Sequence, residues 1–168
     1  MVRDARPEDA EAIARVHTRS WQAGYAHVFP AEALAEISVA RRRAFWERHL
    51  LSPENRSALV VAEVAGAVAG FASTGHARGE DEGVGELYAI YVEPEHWDTG
   101  LGRALIGEAE ERLKSGGFTE AMLWVLDDNP RARRFYEAAG WTHDGGSKRD
   151  VFLGTEVTEV RYRKRLQS

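Results

Sequence analysis

The chain has no cysteine among its 168 residues. That absence excludes a disulfide framework, a thiolate metal site and a cysteine nucleophile. Long apolar runs are missing too: no stretch approaches the ~18 apolar residues of a membrane span. There is no cationic excess, since 22 Lys+Arg stand against 27 Asp+Glu for a net charge of -5. That sign argues against a nucleic-acid partner. Residues 1–11 are charged and lack an apolar core, which predicts no secretory leader. His76, His96 and His143 are scattered without ligand spacing, so no metal is expected. With 43% hydrophobic and 29% charged residues, the composition is that of a globular protein. The length fits one domain over residues 1–168 that buries roughly 70% of its unfolded surface. The expectation is a cytoplasmic single-domain protein with neither a membrane nor a nucleic-acid partner.

Apolar spacing supplies the elements. Ala10, Ile13, Ala14, His17 and Trp21 recur at helical intervals and predict a helix over residues 7–26, entered through Pro7. Residues 31–50 carry Leu34, Ile37, Phe45 and Trp46 and read as one helix or two. Residues 58–64 and 67–74 are rich in Val, Ala and Phe around Gly66 and predict a β-hairpin. Residues 76–85 read as a loop, and 86–92 as the best strand, closed by Pro94. Leu101, Leu105, Ala109 and Leu113 stripe a helix over 101–115 that stops at Gly116-Gly117. Residues 121–126 form an apolar strand. Asn129 and Pro130 then open a short helix over 130–139. Residues 151–153 and 157–162 are closing strands. This order predicts an α/β domain with a mixed, mostly antiparallel central sheet flanked by helices.

The junction from strand 86–92 into helix 101–115 runs through Trp97-Asp98-Thr99-Gly100-Leu101-Gly102. Glycines straddling a helix start let backbone approach a ligand closely. The first helical N–H groups lack intrahelical partners, and that helix end carries about +0.5 charge, which suits a phosphate. A Walker loop is excluded, because Gly102 is followed by Arg103-Ala104. A dinucleotide fingerprint lacks its third glycine, where Leu105 stands, so an oxidoreductase is disfavoured.

Tyr91-Val92-Glu93-Pro94 followed by Gly100-Leu101-Gly102-Arg103-Ala104-Leu105 resembles the acyl-CoA signature of the GNAT superfamily of N-acetyltransferases. Asn129 to Trp141, with its Phe135-Tyr136 pair and Gly140-Trp141, resembles the same superfamily's late strand-helix motif. The resemblance implies direct transfer of an acetyl group from acetyl-CoA to an amine, with no metal. It implies that Ile90, Tyr91 and Val92 pair with the pantetheine arm through their backbone. The loop Trp97 to Gly102 would hold the pyrophosphate with Arg103 beside it, and Asn129 and Phe135 would border the arm. The sequence departs from the family at Trp97, where Arg or Gln is usual, and at Asp98, often Gly. A carboxylate there costs affinity unless it points away.

The chemistry needs a neutral amine, a polarised thioester and a proton for the departing thiolate. Deprotonating a lysine-like amine at pH 7 costs about 4 kcal/mol. Glu86, at the start of the central strand, is the candidate base, with Asp127 and Asp128 as rivals. Tyr136 matches the family's acidic tyrosine, and the Val92 N–H would polarise the thioester carbonyl. His17, Trp21 and Tyr25 share a helix face and, with Tyr88, are candidates for the acceptor pocket; Trp124 borders the same cleft. The acidic loop Glu80-Asp81-Glu82 would attract a cation. Arg161, Arg163 and Arg165 share a strand face with Glu159 and are open as a solvated face, a homodimer contact or a phosphate dock. The acceptor is expected to be a small-molecule or peptide amine. Alternatives on the same fold are a non-catalytic acyl-CoA-binding or sensing module and a transferase for longer acyl chains.

Overall fold

In the computed structural model, which describes residues 1–52 and 56–166, the predicted hairpin lies within a seven-stranded sheet. Strands β2 (Ala58–Val64) and β3 (Ala67–His76) are joined by Ala65-Gly66, both at positive φ (52° and 81°). That is the two-residue turn whose twist matches an antiparallel pair. Strand β1 (Val2–Asp4) adds to β2, and β4 (Val84–Val92) adds to β3, both antiparallel. Strand β5 (Glu120–Leu126) lies parallel to β4, and β7 (Thr155–Arg165) and β6 (Thr142–Phe152) complete the order β1-β2-β3-β4-β5-β7-β6.

The helix expected over residues 7–26 is a 3₁₀ turn, Pro7–Asp9, running into α1 (Ala10–Gly24). The next stretch is two helices, α2 (Ala31–Ala35) and α3 (Val39–Leu51), and Ser38 caps the second by accepting from the Arg41 N–H. Helices α4 (Leu101–Ser115) and α5 (Pro130–Ala138) follow the sequence closely. Strand β6 extends well beyond the predicted 151–153. Nearly all its residues are exposed, so it carries no apolar alternation. A register shift between His143 and Ser147 accommodates Gly145 and Gly146. Leu153, read as strand, forms the tight turn into β7 with Gly154, again with both φ positive.

Two faces of the sheet are covered. α4 and α5 bury Leu105, Ile106, Ala109, Leu113 and Tyr136 against Val60, Leu87, Leu123 and Val125. α1 and α3 bury Ile13, Val16 and Trp46 against Leu59, Val61 and Phe71. Tyr25, Phe29 and Leu34 continue that second layer onto Leu126 and Val157. α5 is pinned to the sheet by Tyr162, which donates to Glu137 at 2.7 Å and accepts from Arg133 Nε at 3.0 Å. Among the described residues no helix is long and apolar enough to cross a membrane.

Burial predicts where stability resides. Leu105 is completely buried under α4, so Leu105→Ala should lower the unfolding free energy by about 2–5 kcal/mol. Arg43→Ala removes only exposed pairs with Glu47 and Glu11 and should leave the unfolding midpoint nearly unchanged. Urea unfolding of the two variants checks this ranking.

Candidate active site

Strands β4 and β5 stay in register for only three pairs, Val84↔Glu120, Gly85↔Ala121 and Glu86↔Met122. Beyond Glu86 they part, and a cleft of about 1050 Å³ opens between them. On its other edge β4 remains paired with β3, where the Glu93 N–H donates to the Ala69 carbonyl. Antiparallel pairing alternates, so the N–H groups of Ile90 and Val92 point away from β3 into the cleft. The Val92 carbonyl is taken by Trp97 Nε1 at 2.8 Å. The edge facing the cleft therefore offers two donors and the Ile90 carbonyl to an extended, amide-bearing ligand, which would add like a strand.

An irregularity in β4 sets which side chains face which layer. Ser73 pairs with Ala89 and Thr74 with Leu87, so Tyr88 is an extra residue. The bulge shifts the alternation by one position. Leu87, Ile90 and Val92 all reach the α4 layer, while Ala89 and Tyr91 turn to the α1 layer. Tyr88 itself borders the cleft, and its hydroxyl donates to the His76 carbonyl.

At the wide end lie the phosphate-seeking groups. Gly100 is the N-cap of α4 at φ 89°, a left-handed conformation suited to glycine, and no side chain caps the helix. A Cβ on Gly102 would stand 3.1 Å from the Phe135 ring, so the absence of a side chain there lets α4 and α5 approach. Gly100, Gly102, Arg103 and Phe135 all line the cleft. Asp98 lines it too, at φ 62°, and Arg131, which stacks 3.6 Å over the adjacent Trp97 ring, attracts its carboxylate electrostatically. That attraction partly counters the carboxylate that the sequence reading set beside a phosphate. Arg131 and Arg134 are cleft residues that sequence reasoning missed, although the helical interval of three was there to be read. Two residues of the predicted loop stand apart from the cleft lining. Thr99 donates its hydroxyl to the His96 carbonyl at 2.6 Å, and Leu101 packs into the α4 core.

Glu86 is 3% exposed and lies on the cleft wall. Burial raises its pKa, while Arg78, 3.4 Å from Oε2, opposes the rise. Tyr136 also faces the cleft from α5; burial pushes its phenol up, Tyr91 adds to the rise, and Arg131 opposes it. Asn129 caps α5 by accepting from the Ala132 N–H at 3.2 Å and reaches the Tyr25 hydroxyl at 3.4 Å. Asp127 and Asp128 turn outward. Asp127 pairs with Arg133 at 2.7 Å, Asp128 lies 3.6 Å from His27, and both are exposed outside the cleft lining.

The aromatic face of α1 divides. Trp21 and Tyr25 line the cleft, and Trp21 Nε1 donates to the Tyr91 hydroxyl at 2.9 Å. His17 does not reach it: its ring stacks behind Tyr91 at 4.9 Å and accepts from Trp46 Nε1. Burial, with Arg42 nearby, drives the His17 pKa down to about 3, so it is a neutral packing group. In the acidic loop, Glu80 is bound by Arg163, which also takes Glu120 and Asp144, and the exposed Glu82 lies 3.6 Å from Arg56. Arg161 joins Asp144 at 2.6 Å. Among the described residues no cluster of His, Asp and Glu could hold a metal.

Residues 11–141 match the model of the acetyltransferase (GNAT) family. Over 138 residues the chain is 38% identical to the uncharacterized N-acetyltransferase YuaI of Bacillus subtilis, covering 82% of this chain and 77% of the relative. Mycothiol acetyltransferase of Thermobispora bispora is 42% identical over 85 residues, but the match covers only 49% of this chain and 29% of that protein. The fold is shared with PaiA N-acetyltransferase of Thermoplasma acidophilum, solved with coenzyme A (TM-score 0.79, 21% identity, 98% of each chain). It is shared with YncA of Salmonella typhimurium, solved with acetyl-CoA (TM-score 0.75, 22% identity, 100% of this chain and 94% of the other). With a family match across most of its length and a cleft between parted strands that suits an acyl-CoA arm, this chain belongs to the GNAT acetyltransferase family.

Proposed function

We propose that the protein transfers an acetyl group directly from acetyl-CoA to a primary amine, with Glu86 as base and Tyr136 as proton donor to sulfur. The observation that carries this reading is the placement of both side chains on one cleft beside the unpaired edge of β4. The thioester arm lies along Ile90 and Val92, and its pyrophosphate lies at the uncapped start of α4 among Arg103, Arg131 and Arg134.

The neutral amine attacks the thioester carbon, forming the C–N bond. The Val92 N–H, fixed by the sheet, donates to the carbonyl oxygen as negative charge develops there. One such preorganised donor is worth about 3 kcal/mol. Glu86 takes the amine proton, directly or through water; its raised pKa brings it closer to that of the proton it must accept. The C–S bond breaks, and the sulfur receives a proton from Tyr136, which recovers it from water. Burial disfavours the phenolate, so Tyr136 keeps its proton until charge reaches the sulfur.

Tyr136→Phe should lower kcat by about 10- to 100-fold, the size of one hydrogen bond to a charged atom, and leave acetyl-CoA affinity nearly intact. Thiol-release kinetics with a calorimetric titration checks this, and an unchanged kcat contradicts it. For Glu86 the sign of the pH effect follows from its raised pKa. Between the unfolded and folded values the native state holds a proton that the unfolded chain has lost, so stability falls as pH rises through that window. Glu86→Gln should therefore lose about 10²–10⁴ in kcat/KM while melting no lower than wild type near pH 8. Any thermal gain should vanish near pH 4, where wild-type Glu86 is itself protonated. Marked destabilisation near pH 8 would instead make Glu86 a structural partner of Arg78.

A further inference from the structure

We propose that Glu159 anchors a second cationic nitrogen of the acceptor, so that the preferred substrates are diamines. This rests on the acetyl-transfer reading above, in which the reacting nitrogen lies at Glu86.

The sheet register puts the two carboxylates on one face. Glu86 pairs with Met122 on β5, and Leu126, four residues further along the same strand, pairs with Glu159 on β7. Residues 122, 124 and 126 share a face, so Glu86, Trp124 and Glu159 form one polar and aromatic floor. The same face of the sheet is apolar where Leu126 and Val157 meet Tyr25 and Phe29.

Glu159 is only 8% exposed and lines the cleft. Among the described residues no donor lies within hydrogen-bond distance of its carboxylate. Its nearest cation, Lys148 Nζ, stands 3.9 Å away. The carboxylate lines the cleft and is bonded to no donor of the fold, so a ligand ammonium entering the cleft can reach it without displacing a protein hydrogen bond. Burial raises its pKa, Lys148 and Arg78 oppose the rise, and the cleft carboxylates Asp150 and Glu86 add to it.

Lys148 marks what that place accepts. Its ammonium sits 4.3 Å from the Trp124 ring centre as well as beside Glu159, so a cation already rests between an aromatic face and a carboxylate. The Lys148 side chain is 42% exposed and rises from the edge strand β6, free to swing outward. A ligand ammonium with three donors would satisfy Glu159 better than this distant pair does. Tyr25 and Trp21 close the opposite wall.

The test is calorimetric titration of the CoA-bound protein with α,ω-diamines, from 1,3-diaminopropane to 1,6-diaminohexane, and with the matching n-alkylamines. At the best chain length the diamine should bind about 10- to 100-fold more tightly than the monoamine, the size of one charge-assisted hydrogen bond. Glu159→Gln should bring the two within about twofold of each other. Lys148→Met should keep or increase the preference. Equal affinities in the wild type, absence of saturable diamine binding, or an intact preference in Glu159→Gln each overturn the proposal. Loss of the preference in Lys148→Met assigns it to the lysine and overturns it as well. Thiol release from acetyl-CoA is read separately: binding preference without turnover contradicts the acetyl-transfer reading, and turnover without preference contradicts this one.

Discussion

Everything in the site depends on the short parallel contact between β4 and β5. Three residue pairs hold the strands together, and the separation that follows leaves one edge of β4 without a sheet partner. An unpaired strand edge inside a fold has unmet hydrogen-bonding groups and calls for a ligand or water. The rest of the architecture keeps that edge open. β3 fixes the other side of β4, α4 and α5 meet closely at Gly102 and Phe135, and Trp97 ties off the Val92 carbonyl. The remaining donors are held in place by the sheet, without the entropy cost of ordering a loop.

The charges follow the same division. The α4 end of the cleft gathers Arg103, Arg131 and Arg134 and suits an anionic nucleotide tail. The opposite end buries Glu86 and Glu159 and suits a cationic acceptor. A carboxylate whose pKa is raised by burial costs stability when it ionises, and so a base of this kind reflects function more than folding. The ions outside the cleft are spent on structure: Arg163 gathers three carboxylates, and Asp127 pairs with Arg133.

Much of this was legible in the residues. Helix α4 could be read from its leucine stripe, α5 from Asn129 and Pro130, and the first hairpin from Gly66, because each signal is local. Only the end of β6, at residues 151 and 152, was legible, since an edge strand exposed on both faces has no apolar period. His17 shared a helix face with Trp21 and Tyr25, but spacing cannot say which rings on a face meet a cavity and which meet Phe71 and Trp46. Glu159 sits in an alternating strand among arginines, and only the register of β7 against β5 puts it in the cleft. The bulge at Tyr88 is likewise invisible in the sequence, although it decides where Tyr91 and Ile90 point.

The measurement that tests the central claim most directly is residue-resolved amide hydrogen exchange with and without acetyl-CoA. The account predicts saturable binding in which the Ile90 and Val92 amides, open to the cleft in the free protein, become protected. The Glu93 amide, already bonded to the Ala69 carbonyl, should change little. Binding that leaves Ile90 and Val92 unprotected, or no binding, would contradict the assignment of the parted strands as the acyl-CoA site.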